Sequence, residues 1–393
     1  MHFELSGDQK MLVETAASFV KKQSPVNRVR GLRDDDIGWT REMWRQMGEL
    51  GWLGILFSEE AGGFGGSFLD ASLVLEQIGT TLVPEPYIAS VILAGSAVAR
   101  AADPRQQQAL LGPMIEGSTS LALAYAETDS RYDPLAIGTR AEPRGSDWKV
   151  TGKKVFVLNG HAAETLIVAA RSGGASGDRE GVSLFAVDAK TPGVTVRPIK
   201  TMDGHHAAMV ELAGVELGAD ALLGAEGAAG AVLEQVLDLG AAAACAEGTG
   251  IMRTVLAMTT DYLRTREQFG VKIGTFQALQ HRAVDMFIET ELGKSTAILA
   301  ALKVEDPDAV ERKTAVSAAK VQLAVSGRFV TQQSIQLHGG IGVTDEHDVG
   351  LYFKRMHVLN SLFGDEEYHL RRFANLPSFT ANLDTPARST AAR

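Results

Sequence analysis

Few side chains here pair useful chemistry with a spacing that groups them. Arg266 lies in the run from Tyr262 to Gly270, Gln277 follows Phe269 by eight residues, and Gln336 opens the run Gln-Leu-His-Gly-Gly-Ile-Gly that ends at Gly342. A guanidinium presents a planar fork that can meet two phosphate oxygens at once. An amide can give and accept a hydrogen bond together, and Gly339 and Gly340 leave backbone N–H groups open to a ligand. A different chemistry attaches to Glu247, which stands alone among small apolar residues between Gly240 and Gly250. A carboxylate in such a stretch is costly unless paired, and burial would suit it to proton abstraction. The alternative, a structural glutamate hydrogen-bonded to a neighbouring helix, carries equal weight. His205 and His206 beside Asp203 predict surface histidines, not a metal site, because adjacent residues point apart and no third ligand is near.

The elements that must position these groups fall into three stretches. From Ser6 to about Gly117 the period is helical. Ser6 and Gln9 form a capping box, Thr40 opens a helix carrying Met43, Trp44, Met47 and Leu50, and Gly62, Gly63, Gly65 and Gly66 form a loop before a helix from Asp70 to Ile78. Gln106, Gln107 and Gln108 read as a solvated face. From Leu121 to Leu223 short β-rich runs take over: Trp148 to Val150, Lys154 to Leu158, Thr165 to Val168, Val182 to Val187, Val194 to Val196 and Ala208 to Leu212. That spacing suggests a compact antiparallel barrel or sandwich, with an exposed loop from Arg171 to Glu180. Long Ala- and Leu-rich helices return from Gly227 to Leu376 and predict a bundle. With 393 residues, 45% hydrophobic and 22% charged, two or three domains are expected. A net charge of −10 disfavours nucleic acid, and no run of eighteen apolar residues suggests a membrane span. The single cysteine, Cys245, sits in an apolar run and reads as a buried thiol in a reducing cytoplasm; no secretion signal is visible.

The Arg266-to-Gly270 segment, the following Gln277 and the Gln336-to-Gly342 segment, in this three-part layout, resemble the acyl-CoA dehydrogenases along nearly the whole chain. The resemblance implies a chain that is mainly α with a β domain: an N-terminal α-helical domain (1–117), a middle antiparallel β-barrel (118–226), a C-terminal four-helix bundle (227–376) and a flexible tail (377–393). It implies FAD as cofactor, an acyl-CoA substrate and electron-transfer flavoprotein as electron acceptor. By the same resemblance Arg266 reaches a neighbouring subunit's pyrophosphate, Gln277, Gln336, Gly339 and Gly340 contact that cofactor, and Phe269 packs near its adenine, with core filling an equal account of the phenyl ring.

The chain departs from the family where the flavin ring would sit. The Thr-Glu-Pro-x-x-Gly-Ser-Asp segment reads Ala126-Glu127-Thr128-Asp129-Ser130-Arg131-Tyr132-Asp133, and the Trp-Ile-Thr segment reads Phe156-Val157-Leu158. Leu158 cannot donate to the reactive flavin nitrogen. Phe363 stands where most members carry the catalytic carboxylate, and Gly240 where others do, leaving Glu247 as the candidate base. The segments from Ala124 to Glu127, Phe329 to Gln333 and Tyr352 to Arg355 resemble the small subunits of two-chain dehydrogenases of the pimeloyl-CoA and bacterial steroid side-chain kinds. The leading expectation is therefore a subunit that grips an unlike partner's FAD in an α2β2 heterotetramer. A self-sufficient homo-oligomer using Glu247, a flavin monooxygenase on the same fold, and an assembly partner without cofactor contact remain alternatives.

Overall fold

A computed structural model describes residues 4–377; of the segment expected to be a flexible tail, all but Pro377 lies outside the described residues. The N-terminal part comprises α1 (Gly7–Gln23), α2 (Val26–Leu32), α3 (Arg41–Glu49), α4 (Phe68–Thr81), a π-helical segment (Tyr87–Gly95), α5 (Ser96–Ala101) and α6 (Pro104–Ile115). Ser6 and Gln9 make the reciprocal capping box at α1, and Thr40 accepts from the Met43 N–H at α3. Met43, Trp44 and Met47 are buried, as their one-face spacing requires.

The sheet then forms from β1 (Leu121–Ala124), β2 (Arg140–Arg144), β3 (Asp147–Leu158), β4 (Thr165–Arg171), β5 (Val182–Asp188), β6 (Val194–Lys200), β7 (His206–Leu217) and β8 (Leu222–Leu223), in the order β6-β7-β3-β2-β4-β5-β8 with β1 beside β4. Most pairings are antiparallel, but β1 runs parallel to β4, the crossover being supplied by β2 and β3. The two runs read around Gly152 are one twelve-residue strand. Its register shifts between Val150 and Gly152 and again between Lys154 and Val157, so bulges had the look of a turn.

The last part is α7 (Gly230–Thr265), a hairpin of β9 (Glu267–Gln268) and β10 (Val271–Lys272), α8 (Gln277–Lys303), α9 (Ala309–His338), a 3-10 turn (Gly339–Val343), α10 (Val349–Ser361) and α11 (Glu366–Ala374). In α7 every residue from Asp238 to Met252 is buried. The axis crosses α4 at glycine on glycine: a Cβ on Gly250 would strike the Glu76 carbonyl oxygen, and one on Gly79 that of Glu247. Small residues in α7 thus serve close helix packing.

Three sequence expectations need correction. Arg171 does not open an exposed loop; it is buried and donates to the carbonyls of Leu135, Ile137, Asp178 and Glu180, which fold that loop around it. Gln106 and Gln107 are not merely solvated, since Gln106 caps α6 and bonds the carbonyls of Asp220 and Leu222, and Gln107 those of Ala99 and Ala102. His206 is buried, not superficial, and stacks on His161 with 5.1 Å between ring centroids. Among the described residues no group of three or more His, Cys, Asp or Glu is placed to hold a metal ion, and no helix is long and apolar enough to cross a membrane.

Candidate functional site

The end of α7, the hairpin, the start of α8 and the end of α9 enclose a cleft of about 470 Å³. Arg266, Gln336, Gly339 and Gly340 line it together, with Tyr262 and Leu279 forming part of its wall. Gln277 begins α8 beside the lining residue Ala278. Among the described residues no hydrogen bond or ion pair engages the side chains of Arg266, Gln277 or Gln336. A Cβ built on Gly339 or Gly340 meets nothing within 4 Å, and Gly339 has φ +64°, which only glycine adopts without strain. The turn therefore presents bare backbone to the open side of the cleft. Phe269 sits at the hairpin tip with φ +56° and is 90% exposed. Core filling is excluded for this ring; its contact within the chain is edge-on to Phe276 at 6.2 Å between centroids.

Gly240 and Phe363, the two positions that the sequence resemblance marks for a catalytic carboxylate, face each other. A Cβ on Gly240 would lie 3.1 Å from the Phe363 ring and 2.8 Å from Leu93, so Phe363 fills the space between α7 and the chain after α10. Phe363 and Gly364 take φ +59° and +114°. The buried Lys320 of α9 reaches this bend, donating to the carbonyls of Leu359 and Leu362 at 2.7 and 2.8 Å; burial pulls its ammonium down to about 8. Beyond Phe363 a second cleft, about 260 Å³, is walled by Tyr125, Tyr132, Leu237, Lys313 and Tyr368. Tyr132 packs on Tyr368 at 5.4 Å, and Arg131 stands in left-handed backbone at φ +46°.

Glu247 does not project into either cleft as a free carboxylate. Arg355 of α10 grips both its oxygens, Nε to Oε1 at 2.6 Å and Nη2 to Oε2 at 2.9 Å, and extends Nη1 to Asp203 at 2.9 Å. Burial opposes the Asp203 charge, but His205, Arg355 and Thr201 outweigh it and hold the carboxyl well below the usual range. The Arg355 guanidinium is likewise held above its ordinary value by Glu247 and Asp203, against burial. The arrangement matches the pairing that a structural role for Glu247 requires, and it joins α7, α10 and the loop before β7. Nothing local in the sequence announces it, because the partners are 108 and 152 residues apart. Glu127, retained from the first flavin segment, is similarly occupied: it accepts from the N–H groups of Gly138 and Thr139 and pairs with Lys154 at 2.6 Å. Burial draws the Lys154 ammonium down to about 8, with Glu127 opposing.

Three family profiles cover the chain: acyl-CoA dehydrogenase N-terminal domain over residues 6–118, middle domain over 122–215 and C-terminal domain over 229–375. This chain belongs to the acyl-CoA dehydrogenase family. The acyl-CoA dehydrogenase FadE12 of Mycobacterium tuberculosis is 32% identical over 79% of this chain and 81% of its own length. The acyl-CoA dehydrogenase IpdE2 of Mycolicibacterium smegmatis is 30% identical over 94% and 98%. Among solved structures, the ChsE4-ChsE5 complex from Mycobacterium tuberculosis superposes with a TM-score of 0.86 at 28% identity, covering 98% of this chain and all of the matched one.

An acyl-CoA dehydrogenase is an oxidoreductase that works with FAD, and the two halves of that coenzyme meet different conditions here. Open backbone at Gly339 and Gly340, an unpaired guanidinium and two unpaired amides suit a pyrophosphate and adenosine. The ring half fits poorly. The cavity beside Leu158 measures about 60 Å³, room for about two waters, and Leu158 offers no polar atom beyond its backbone.

Proposed function

We propose that this chain is the subunit of a two-chain, FAD-dependent acyl-CoA dehydrogenase that holds the coenzyme of an unlike partner, while its own half-site is closed. The observation that carries this reading is the contrast between the two sites. Arg266 and Gln336 stand without partners on the wall of a cleft of about 470 Å³, with Gln277 next to its lining residue Ala278, whereas Phe363 packs into the place of a base against Gly240. When bound, FAD would supply the hydride acceptor for the α,β-dehydrogenation of an acyl-CoA thioester. This chain's part is to neutralise the pyrophosphate with Arg266, to hydrogen-bond the coenzyme with Gln277 and Gln336, and to approach it with the backbone of Gly339 and Gly340. Phe269, otherwise in water, would be covered by the partner near the adenine.

The exposed face of α8 supports assembly. Val284, Phe287, Ile288, Leu292, Ile298, Leu299 and Leu302 recur at helical spacing and are between 37% and 55% exposed, a stripe that an isolated chain would leave in water. That ChsE4-ChsE5 is a complex of two chains agrees with an unlike partner and an α2β2 assembly. Electron-transfer flavoprotein remains the proposed electron acceptor, and the buried Cys245 thiol suits a cytoplasmic setting. The competing reading, a homo-oligomer with Glu247 as base, has the Arg355 grip against it. Co-expression with a candidate unlike dehydrogenase subunit, followed by a flavin count, tests the proposal. One FAD per unlike pair, lost on Arg266→Ala, is expected. One FAD per chain and acyl-CoA oxidation by this chain alone would overturn it.

A further inference from the structure

The glycine turn that faces the cleft has almost no core beneath it. From Gly339 to Asp348 only Gly342 is buried, so hydrophobic packing cannot fix its position. What reaches it instead comes from the opposite end of the chain. On α2 and just after it, Arg33 donates to both oxygens of Asp345 at 2.7 and 2.9 Å, and Arg30 donates to Asp348 at 3.0 Å and to the Asp345 backbone carbonyl. Arg33 also sits where three parts of the molecule meet. Lys200 of β6 donates to its backbone carbonyl at 3.2 Å, and a Cβ built on Gly204 would lie 3.2 Å from its side chain. From the anchored segment a stack leads back to the cleft: His347 on His338 at 4.4 Å between centroids, and His338 on Tyr262 at 4.6 Å. Tyr262 and His338 both line that cleft.

We propose that Arg30 and Arg33 are positioning residues for the coenzyme clamp, holding Asp345 and Asp348 so that the Gly339–Val343 turn and the Tyr262 side stay in register with Arg266. The inference rests on the proposed role of the cleft. It adds that the clamp's affinity is set from the N-terminal domain, by ion pairs that salt weakens. Neither arginine touches the coenzyme in this account.

The test uses the full chain and ADP, which carries the pyrophosphate and adenosine of FAD, with binding measured by titration calorimetry. Arg266→Ala reports on the clamp itself, and loss of ADP binding is expected. Arg33→Glu is expected to weaken ADP about tenfold, as several ion pairs of a fraction of a kcal/mol each would when reversed together. The double variant Arg33→Glu, Asp345→Arg restores the pair with opposite polarity and is expected to recover most of that loss, which a general folding defect would not. Unchanged ADP affinity in Arg33→Glu, or no recovery in the double variant, overturns the positioning role while leaving the Arg266 result standing. No ADP binding by the unaltered chain, or full binding by Arg266→Ala, overturns the role of the cleft and this inference with it.

Discussion

Replacing Arg355 by Met removes the cation from between two buried carboxylates. The Arg355 side chain is 11% exposed, that of Glu247 3% and that of Asp203 fully buried. Three charge-assisted bonds of 2.6, 2.9 and 2.9 Å disappear, and methionine roughly keeps the volume of the stem. Asp203 retains the Thr201 hydroxyl and the His205 backbone N–H as donors, so the unpaired charge falls mainly on Glu247. Stripping one partner from such a pair costs about 3–5 kcal/mol, most of it the expense of a buried unpaired charge. Urea unfolding at fixed protomer concentration measures it. Adding Glu247→Gln should recover about 1–3 kcal/mol, because the two side chains share one interaction. Glu247→Gln alone should leave turnover of the assembled enzyme in place. A loss below about 1 kcal/mol for Arg355→Met, or a well-folded Glu247→Gln enzyme without turnover, refutes the structural assignment of Glu247 and restores it as the base.

Lys320→Met leaves the Leu359 and Leu362 carbonyls without a donor and should cost about 2–4 kcal/mol, at about 1–2 for each buried group. The Lys320 ammonium titrates near 8 in the folded chain against an ordinary 10.5. The unfolded chain therefore binds the extra proton in that window, and stability from this residue rises with pH between those values; thermal melts should show the rise reduced in the variant. Gly250→Ala drives a methyl into the Glu76 carbonyl and should cost about 3 kcal/mol, read as a lower denaturation midpoint with α4 and α7 prised apart. The paired substitutions Phe287→Glu and Leu292→Glu place charges on the α8 stripe, whose native residues are 54% and 46% exposed. They should reduce assembly size in light scattering while leaving the helix content of the chain intact.

Helix caps and apolar faces were legible because they depend on residues three or four apart: Ser6 with Gln9, Thr40 with Met43. The residues of the proposed clamp could be picked out because each is exposed and lies in a short local motif; the structure brings Arg266, Gln336, Gly339 and Gly340 to one cleft, while Gln277 and Phe269 lie outside its lining. Burial of polar groups was not legible. Arg171, Lys154, Lys320 and His206 read as surface residues by type, yet each is buried because carbonyls, an acid or a stacked ring from distant segments surround it. The weighing of Glu247 turned on the same point: its partner Arg355 is 108 residues away. A bulge, likewise, looks like a turn until the neighbouring strand is seen to continue past it, as β7 does alongside β3.

The hairpin tip carries one further implication, for how such a protein is made. In the proposed assembly, an aromatic ring held 90% in water on a two-residue ribbon is covered only after another chain has arrived. Until then, the ribbon and the α8 stripe are sticky surfaces on a newly synthesised chain. Yield in a heterologous host should thus follow the stoichiometry of companion synthesis more than the intrinsic folding of the chain, and a surplus of this subunit should be the fraction that precipitates or is degraded.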